Sequence, residues 1–376
     1  MNNILNIHNH NSYLLVELGT LRKNVRTILS GLGAGTELIP VLKDDAYGLG
    51  IAPVARTLCA FPEIRTIAVA HVSEGLTLRE SGIDRAILVM GGALPFQLEA
   101  AVEAELTLAC AHPGFLAQLR AAAEKCGKRA SVQIKIDTGL HRIGFEADEL
   151  DGLPDEIRAC GDLVEISGAF SHFSDAANPA LCETEYALFQ NAVSRLEAGG
   201  VRIPLRHMSC SSASERWPQY NMGAIRCGRR LYMDSPDAPT GAILELASFR
   251  AFITQIKARR AGETLGYGDA VMLERDSLVA TVGVGYGDGL NQALFAIRAP
   301  VLAGGRRCRM LACCMDQCMI DVTGLSCQIG DEVTFFGYDR DGNFLSSQEV
   351  AALVNHDEGC GLTSALSARV ARVYTE

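Results

Sequence analysis

The sequence predicts an α/β protein in which a (β/α)8 TIM-like barrel is followed by a mostly β C-terminal domain. Eight short apolar runs, rich in β-branched residues, alternate with helix-like segments over roughly the first 240 residues. After about residue 240 the chain changes to strand-like runs joined by short glycine or charged turns, without a comparable helix until near residue 347. We therefore expect a barrel over residues 14–240 and a β-rich domain over residues 241–376, which the N-terminal strand 1–17 would join.

The strand-like runs follow one another as βα units around a parallel sheet do. They are "LIPVLK" (38–43), "TIAVAHV" (66–72), "AILVMGG" (86–92), "LTLACA" (106–111), "VQIKID" (132–137), "EISGAFSHF" (165–173), "LRHMSCS" (205–211) and "AIRCGRRLYM" (224–233). Amphipathic helices are predicted between them, with apolar residues three and four apart, in "IAPVARTLCAF", "FLAQLRAAAEKCG" and "ETEYALFQNAVSRLEAGG". Polar residues that close the strands of such a barrel face its active site. Lys43 closes the first run, and a lysine at the end of a buried strand is unfavourable unless a neighbouring group uses or neutralises it.

Composition and charge limit the partners of the protein. The hydrophobic fraction of 48% and the charged fraction of 21% are those of a globular protein. A net charge of −10 disfavours nucleic acid and anionic membranes, because both require clustered lysine and arginine. The N-terminal segment lacks the basic region and apolar core of a signal peptide, and no stretch approaches the roughly 18 apolar residues of a membrane span. We expect a cytoplasmic protein.

The thirteen cysteines are an odd number and are irregularly spaced, which favours reduced thiols over a disulfide framework. The densest group is Cys308, Cys313, Cys314 and Cys318. It contains no C-x-x-C pair and has no histidine nearby, so we predict apolar fillers of strands rather than a metal site.

Several separated segments together resemble one family. They are "VLKDDAYGLG", "KIDTGLHRIGF", "SHFSDA", "HMSCSSA", "IRCGRRLYM", "GETLGYGDAVM", "GYGDGL" and "CCMDQ". In this order and spacing they are similar to alanine racemases, which bind pyridoxal 5′-phosphate (PLP), and the resemblance extends from about residue 13 to the end of the chain. It implies a PLP-dependent amino-acid racemase that interconverts L- and D-alanine by proton transfer at Cα between two bases.

The resemblance assigns the two bases. Lys43 matches the lysine to which the cofactor is covalently attached, and a strand-end pocket near other cations favours the neutral, nucleophilic amine. Tyr267, in "LGYGDA", matches the base for the opposite face of Cα. His172, in "SHF", resembles the histidine that hydrogen-bonds to this tyrosine and favours the phenolate. In the family the tyrosine belongs to the partner subunit, so the resemblance implies a homodimer with shared active sites.

Further residues match the cofactor site of the family. Arg226 corresponds to the arginine that faces the pyridine nitrogen of PLP, and a guanidinium practically never gives up a proton, so this nitrogen would stay largely unprotonated. That weakens the ring as an electron sink and should favour reprotonation at Cα over transamination. The phosphate contacts of the family fall on Tyr47, Ser211, Gly228 and Arg229.

The substrate side of the predicted site involves both domains. Arg142 resembles the arginine that steadies the phenolic oxygen of PLP and the substrate carboxylate. Lys135 matches a lysine that is often carbamylated and paired with that arginine. The residues at the substrate mouth would be Tyr286, Met315 and Asp316.

Four positions depart from the family pattern. Cys210 replaces an asparagine near the cofactor, Arg229 stands where a small aliphatic residue is common, and His141 stands where glycine or asparagine is frequent. The extra charge of Arg229 could tighten PLP binding or accept an acidic substrate. The nearest register places Ala368 where many members carry a tyrosine that narrows the pocket. A wider pocket would change discrimination between side chains by about 1–3 kcal/mol per methylene, so a serine or broad-specificity racemase is the main alternative.

Other interpretations keep less of the pattern. A PLP-dependent decarboxylase or lyase would need different residues in place of Tyr267, and a non-enzymatic PLP carrier would lack the β-rich domain. A dinucleotide-binding protein is disfavoured because "VGVGYGDG" lacks the G-x-G-x-x-G spacing.

Overall fold

The computed structural model describes the chain in five stretches, residues 7, 9–234, 242–269, 271–354 and 359–376. The chain forms two compact units. The first unit contains the described residues of Met1–Asn24, Tyr47–Gly50 and Tyr232–Glu376, and the second contains Val25–Ala46 and Ile51–Leu231. The predicted domain boundary at residues 240 and 241 lies outside the described residues and stays a prediction.

The strands and helices are named in chain order. The strands are β1 (Ser12–Glu17), β2 (Glu37–Pro40), β3 (Thr66–Val69), β4 (Ala86–Val89), β5 (Thr107–Cys110), β6 (Ala130–Lys135), β7 (Val164–Phe170), β8 (Arg206–His207), β9 (Ala224–Cys227), β10 (Ala247–Arg259), β11 (Thr264–Leu265), β12 (Val271–Met272), β13 (Ser277–Val282), β14 (Pro300–Ala303), β15 (Arg306–Cys313), β16 (Cys318–Asp321), β17 (Glu332–Tyr338), β18 (Phe344–Leu345) and β19 (Ala371–Thr375). The right-handed α-helices are α1 (Leu18–Ser30), α2 (Ile51–Cys59), α3 (Val72–Glu80), α4 (Leu98–Glu103), α5 (Phe115–Cys126), α6 (Leu153–Cys160), α7 (Pro179–Ala198), α8 (Ser211–Arg216), α9 (Ala293–Ala296), α10 (Ser347–Ala352) and α11 (Cys360–Ser364). Among the residues that the structure describes, no helix is both long and apolar enough to cross a membrane.

The second unit is a parallel eight-stranded barrel, which confirms the predicted fold class. Its strands are ordered β2-β9-β8-β7-β6-β5-β4-β3. The two ends of this order meet, because the N–H of Leu42, just after β2, donates to the carbonyl of Ala68 in β3 over 2.8 Å. Each of the eight predicted runs overlaps one of these strands, although β2, β6 and β7 begin one or two residues before the predicted run. The run at 205–211 pairs only at Arg206–His207, since the chain turns into α8 at Ser211.

The barrel is filled from inside and covered by helices outside. Ile39, Val41, Ala68, Leu88 and Ala224 form a buried apolar cluster contributed by strands on both sides of the closure. The three segments predicted to be amphipathic helices form α2, α5 and α7. In barrels of this kind the polar residues of the active site lie at the carboxyl ends of the strands.

Local signals explain where these helices begin and end. The side-chain oxygen of Asn178 caps α7 by accepting the N–H groups of Ala180 (3.2 Å) and Leu181 (3.3 Å), and Pro179 occupies the first helical position. Gly127 ends α5 in the left-handed conformation, with φ 61°.

The first unit is built on a nine-stranded sheet, which confirms the predicted mostly β C-terminal architecture. The sheet order is β18-β17-β14-β15-β16-β13-β10-β1-β19. The long strand β10 also pairs with β17, so six of the strands close into a ring. The N-terminal strand β1 pairs antiparallel with β10 and parallel with β19.

Candidate active site

The carboxyl end of the barrel gathers the polar side chains that the sequence placed there. Lys43 follows β2, Lys135 ends β6, His172 follows β7, Ser211 follows β8 and Arg226 lies in β9. The strands are parallel, so their carboxyl ends lie at one rim. Nη2 of Arg226 lies 2.8 Å from Nδ1 of His172, and both Cζ of Arg226 and Nζ of Lys135 lie within 6 Å of the centroid of the Phe170 ring, at 5.5 and 5.7 Å. The charge of Lys43 is among those that lower the pKa of His172.

The residues after Lys43 adopt an unusual backbone. Asp44, Asp45, Ala46 and Tyr47 have φ angles of 56°, 52°, 55° and 58°, which makes this segment one turn of left-handed helix. Such a turn costs about 1–2 kcal/mol per L-residue, least for aspartate. It is held by the N–H of Ala46, which donates to the carbonyl before Lys43 (3.0 Å), and by the carboxylate of Asp45, which accepts the first N–H of α2 (2.7 Å). These hydrogen bonds fix the backbone from which the exposed Lys43 side chain projects.

Arg226 is the best-connected cation of the rim and is only 3% exposed. Its Nη1 donates to Nδ1 of His207 over 2.6 Å. Its Nη2 donates to Nδ1 of His172 (2.8 Å) and to the carbonyls of Ser171 (2.7 Å) and Met208 (3.1 Å). Burial lowers the pKa of Arg226 to about 10, so the group stays charged at neutral pH. Within the described residues its Nε makes no hydrogen bond, which leaves this donor for a ligand.

His172 is held as a neutral imidazole. Burial, followed by the charges of Arg226 and Arg142, keeps its pKa well below 6.5. A guanidinium can only donate, so Nδ1 of His172 must accept and the ring proton lies on Nε2. His172 therefore offers an Nε2–H donor.

Lys135 is a buried amine, 3% exposed. Its Nζ donates to the carbonyl of Ile136 over 2.7 Å and lies 5.7 Å from the centroid of the Phe170 ring. Burial, and then the charge of Arg226, lowers its pKa to about 8. A considerable fraction of this amine is therefore neutral under mildly alkaline conditions.

The loop after β6 carries Arg142. The carboxylate of Asp137 folds this loop by accepting the N–H groups of Gly139 (2.9 Å) and His141 (3.1 Å). His141 has a φ of 52°, a conformation that glycine and asparagine adopt more readily, which explains the residues frequent at this position in the family. Arg142 is exposed, and among the described residues its guanidinium forms no hydrogen bond or ion pair.

The ends of β8 and β9 present donors suited to a phosphate. The hydroxyl of Ser211 accepts the N–H of Gly228 over 3.2 Å. Arg229 is 8% exposed, and its Nη2 donates to the hydroxyl of Ser212 over 3.3 Å. Hydroxyls, a backbone N–H and a guanidinium together fit a dianionic phosphate group. Ser212 was not among the predicted site residues, although its place next to Ser211 in "CSSA" was a usable signal.

Tyr47 is part of the first unit rather than of the barrel unit. Its ring centroid lies 5.3 Å from that of Tyr232. Its predicted phosphate contact stays a prediction.

Tyr267 lies at the tip of the β11–β12 hairpin of the first unit. Gly266 and Gly268 flank it with φ angles of 82° and 64°, as the tight turn requires. Leu265 and Leu273 anchor the hairpin in a small apolar cluster with β13 and β15. The Tyr267 side chain is 81% exposed and makes no hydrogen bond within the described residues.

The predicted substrate-mouth residues come together in the same unit. The N–H of Tyr286 donates to the carbonyl of Cys314 (3.1 Å), and the N–H of Gly287 donates to that of Met315 (2.8 Å). The close approach needs Gly285, where a Cβ would lie 2.3 Å from the Cys314 carbonyl oxygen. Asp316 continues this hairpin as an exposed residue, and Tyr286 and Met315 are 37% and 57% exposed.

Two departures from the family pattern lie on the surface or at the edge of the site. Ala368 is exposed, in the segment between α11 and β19. Cys210 is half-buried and immediately precedes α8. In the described parts of the chain, no group of three or more histidine, cysteine, aspartate or glutamate side chains is arranged to hold a metal ion.

Comparison with known proteins gives full-length matches. The family model for the "Alanine racemase, N-terminal domain" matches residues 16–236, and that for the "Alanine racemase, C-terminal domain" matches residues 246–374. An alanine racemase of Desulforamulus reducens is 32% identical over 371 residues, which cover 96% of this chain and 97% of that protein.

Solved structures share the fold over the same length. The crystal structure of an alanine racemase from D-cycloserine-producing Streptomyces lavendulae superimposes with a TM-score of 0.91 at 27% identity and covers 98% of this chain and 97% of that one. An alanine racemase from Bartonella henselae, solved with covalently bound pyridoxal phosphate, has a TM-score of 0.84 at 22% identity, with coverages of 97% and 99%. Both domain matches in order, the relative above 30% identity and the common fold show that the chain belongs to the alanine racemase family of isomerases.

Proposed function

We propose that the protein is a PLP-dependent amino-acid racemase that interconverts L- and D-alanine. The observation that carries the proposal is the rim of the barrel, where Arg226 binds His172 and keeps its Nε for a ligand beside Lys43 and the phosphate-type donors. When bound there, PLP supplies acidification of the Cα–H bond of an attached amino acid. Everything else in the reaction falls to residues of the chain.

Lys43 would hold the cofactor covalently and exchange the proton on one face of Cα. Its amine is presented from a backbone turn that is fixed by hydrogen bonds at both ends. A fixed base loses little orientational freedom when the proton moves, which is a large part of the catalytic advantage of an enzyme.

Tyr267 would act on the opposite face. A phenol with a usual pKa of about 10 needs help to become phenolate at neutral pH. His172 supplies that help in this proposal, because it is neutral and its proton lies on Nε2, from which it can donate to a phenolate oxygen. Tyr267 is highly exposed in its own chain, as a group that serves another subunit would be.

Arg226 would bind the pyridine nitrogen through Nε–H. With a pKa of about 10, Arg226 remains charged at neutral pH. It would therefore donate a hydrogen bond to this nitrogen without protonating it. A cofactor ring held in this way would be a weaker electron sink, which would favour return of the proton to Cα and therefore racemisation over transamination.

The phosphate would bind to Ser211, Ser212, the N–H of Gly228 and Arg229, with Tyr47 as a further contact. The buried Arg229 guanidinium brings a full positive charge where the family commonly has a small aliphatic residue, so tight cofactor binding is expected.

Arg142 would bind the substrate carboxylate, since its guanidinium has no hydrogen-bond or ion-pair partner among the described residues. The family resemblance pairs it with a carbamylated Lys135. A carbamate would replace a buried cation of lowered pKa by an anion and so relieve the repulsion within the rim. Tyr286, Met315 and Asp316 would border the substrate entrance.

We further propose a homodimer with shared active sites that works in the cytoplasm. The split of the predicted residues supports the dimer, because Lys43 belongs to the second unit and Tyr267 is presented outward by the first. The thirteen scattered cysteines support a reducing compartment.

Ala368 favours a second candidate, a serine or broad-specificity racemase. Its small, exposed side chain stands where many family members narrow the pocket with tyrosine. Measuring the loss of optical rotation of L-alanine, L-serine, L-glutamate and L-lysine separates the candidates. If the pocket is wider, Ala368→Tyr should lower turnover of serine more than that of alanine.

The experiment for the main proposal compares Lys43→Ala with Lys23→Ala, a matched loss of an exposed lysine on α1. After reconstitution with PLP and dialysis, the wild type and Lys23→Ala should keep cofactor absorbance and convert L-alanine to D-alanine, measured by chiral chromatography. Lys43→Ala should lose the absorbance and at least about a thousand-fold in rate, because both the attachment and one base are gone. Retention of both properties by Lys43→Ala would overturn the proposal.

A further inference from the structure

A buried hydrogen-bonded chain crosses the barrel interior and ends on Arg226. Gln133 in β6 is 4% exposed and His207 in β8 is fully buried. Oε1 of Gln133 lies 2.7 Å from Nε2 of His207, and Nδ1 of His207 lies 2.6 Å from Nη1 of Arg226. The proposed reaction uses only the last member, so the first two need another reason to be buried there.

The donor and acceptor roles in this chain follow from Arg226. Its guanidinium can only donate, so the 2.6 Å contact with Nδ1 of His207 exists only while that nitrogen carries no proton. Burial, and then the charge of Arg226, keeps the pKa of His207 well below 6.5, so the ring is neutral. The single ring proton is therefore on Nε2 and points to Gln133, whose amide must turn its oxygen toward it.

The ring of His207 has little freedom to do otherwise. It stacks on Phe170 with 5.3 Å between the centroids and 5° between the planes. Cζ of Arg226 lies 5.5 Å from the centroid of the same Phe170 ring. Because stacking fixes the plane of the imidazole, the remaining variable is which nitrogen carries the proton.

We propose that Gln133 is a positioning residue for Arg226: by accepting the Nε2 proton of His207, it keeps Nδ1 as an acceptor, which holds the guanidinium with Nε–H free for the cofactor. This inference rests on the proposed function for its catalytic meaning. The tautomer that it requires is a property of the chain alone.

The first test is the protonation pattern of the wild-type holoenzyme. Ring ¹⁵N NMR of protein labelled in its eight histidines should show His207, assigned by its loss in His207→Gln, as a neutral Nε2–H tautomer. A neutral Nδ1–H tautomer or a doubly protonated ring would overturn the proposal. Because this readout does not depend on turnover, it stands even if the wild type proves to have another activity.

The second test compares Gln133→Met, which has a similar shape and no acceptor, with Gln133→Glu, which keeps one. With methionine, the Nε2–H pattern of His207 should be lost or mixed, kcat should fall by about ten-fold to a hundred-fold, and transamination should rise relative to racemisation. Glutamate should restore the tautomer and most of the rate. Ser131→Ala is the matched control, because Ser131 lies two residues earlier on β6 and therefore on the same face of the strand, and it bonds only to the hydroxyls of Thr107 (3.3 Å) and Ser167 (3.2 Å).

An unchanged tautomer and unchanged kcat in Gln133→Met would contradict the proposal, as would equal defects in Gln133→Met and Gln133→Glu. If the methionine variant does not fold, Gln133→Asn serves in its place, because its shorter side chain withdraws the acceptor from His207. A purely structural role would lower the unfolding free energy without changing the ratio of transamination to racemisation.

Discussion

The rim of the barrel and the turns of the β-rich unit hold their predicted site residues in opposite ways. At the rim, Arg226 and Lys135 are 3% exposed and their side chains are tied by hydrogen bonds. In the β-rich unit, Tyr267 is 81% exposed and Met315 is 57% exposed, on hairpins whose backbones are well anchored. The side chains of the barrel rim therefore have their hydrogen-bond partners within the chain, whereas the turns of the β-rich unit present their side chains outward.

The difference indicates how the proposed site divides its work. Groups that must bind a charged cofactor in a fixed orientation are buried, where each electrostatic contact is stronger. A base that serves a second subunit must instead project from its own chain, and only its backbone can be fixed there. This interpretation of the difference in burial would be wrong if the exposed Tyr267 had no part in the reaction.

Tyr267→Phe tests that point and should have the largest effect. Removing the hydroxyl should lower racemisation by about a hundred-fold to ten-thousand-fold, the usual contribution of a general acid–base group. One enantiomer of alanine should still exchange its Cα proton with deuterated water through Lys43, and the other should not, as followed by NMR. The melting temperature should not change, because the side chain is 81% exposed. Tyr338→Phe, in the same unit, is the control, and equal exchange of both enantiomers in Tyr267→Phe would exclude its role.

Lys135→Met tests how much stability the buried cation at the barrel rim costs. The pKa of about 8, against the usual 10.5, means that the folded state binds this proton less well than the unfolded state. This difference in pKa destabilises the folded state by about 3 kcal/mol. The destabilisation is fully present below pH 8 and is lost as the pH rises from 8 to 10.5. In bicarbonate-free buffer at pH 7, urea unfolding should find Lys135→Met more stable by up to about 3 kcal/mol and racemisation reduced. Lys128→Met, which changes an exposed lysine two residues before β6, should alter neither the stability nor the rate. A less stable Lys135→Met protein would show that the buried cation is compensated.

Glu245→Gln applies the same logic to the β-rich unit, with no expected effect on catalysis. Burial raises the pKa of Glu245 to about 7, although its carboxylate accepts the N–H of Ser347 over 3.1 Å. An acid with a raised pKa destabilises the fold increasingly as the pH rises from about 4.5 to 7. At pH 8 the amide should therefore raise the unfolding free energy by up to about 3 kcal/mol, and at pH 4 it should change little. Glu349→Gln, an exposed glutamate of α10 paired with Arg307, should stay within about 0.5 kcal/mol. A pH-independent gain would contradict this account.

The fold and much of the rim could be predicted from the sequence because both follow local patterns. All eight apolar runs overlap barrel strands, and Lys43, His172 and Ser211 lie past strand ends, as their places in the runs indicated. The alternation of apolar runs and amphipathic segments is a short-range signal, and parallel strands then determine which ends meet.

Other features could not be predicted, because they depend on distant contacts or on an uncommon backbone. The bond between Gln133 and His207 joins residues 74 positions apart. The left-handed turn at Asp44–Tyr47 has no clear sequence signature beyond its two aspartates, since Ala46 and Tyr47 do not favour that conformation. The burial of Glu245 depends on helix α10, about a hundred residues later in the chain.

The most direct test of the central claim is subunit complementation between two inactive variants. Lys43→Ala and Tyr267→Phe proteins should each be inactive alone, because every shared site lacks one base. After mixing under conditions that exchange subunits, heterodimers would contain one site with both wild-type groups, and about a quarter of wild-type activity per site should return. If exchanged heterodimers, verified by mass spectrometry with a tag on one variant, remain as inactive as the parents, then the amine and the phenol do not act across two chains.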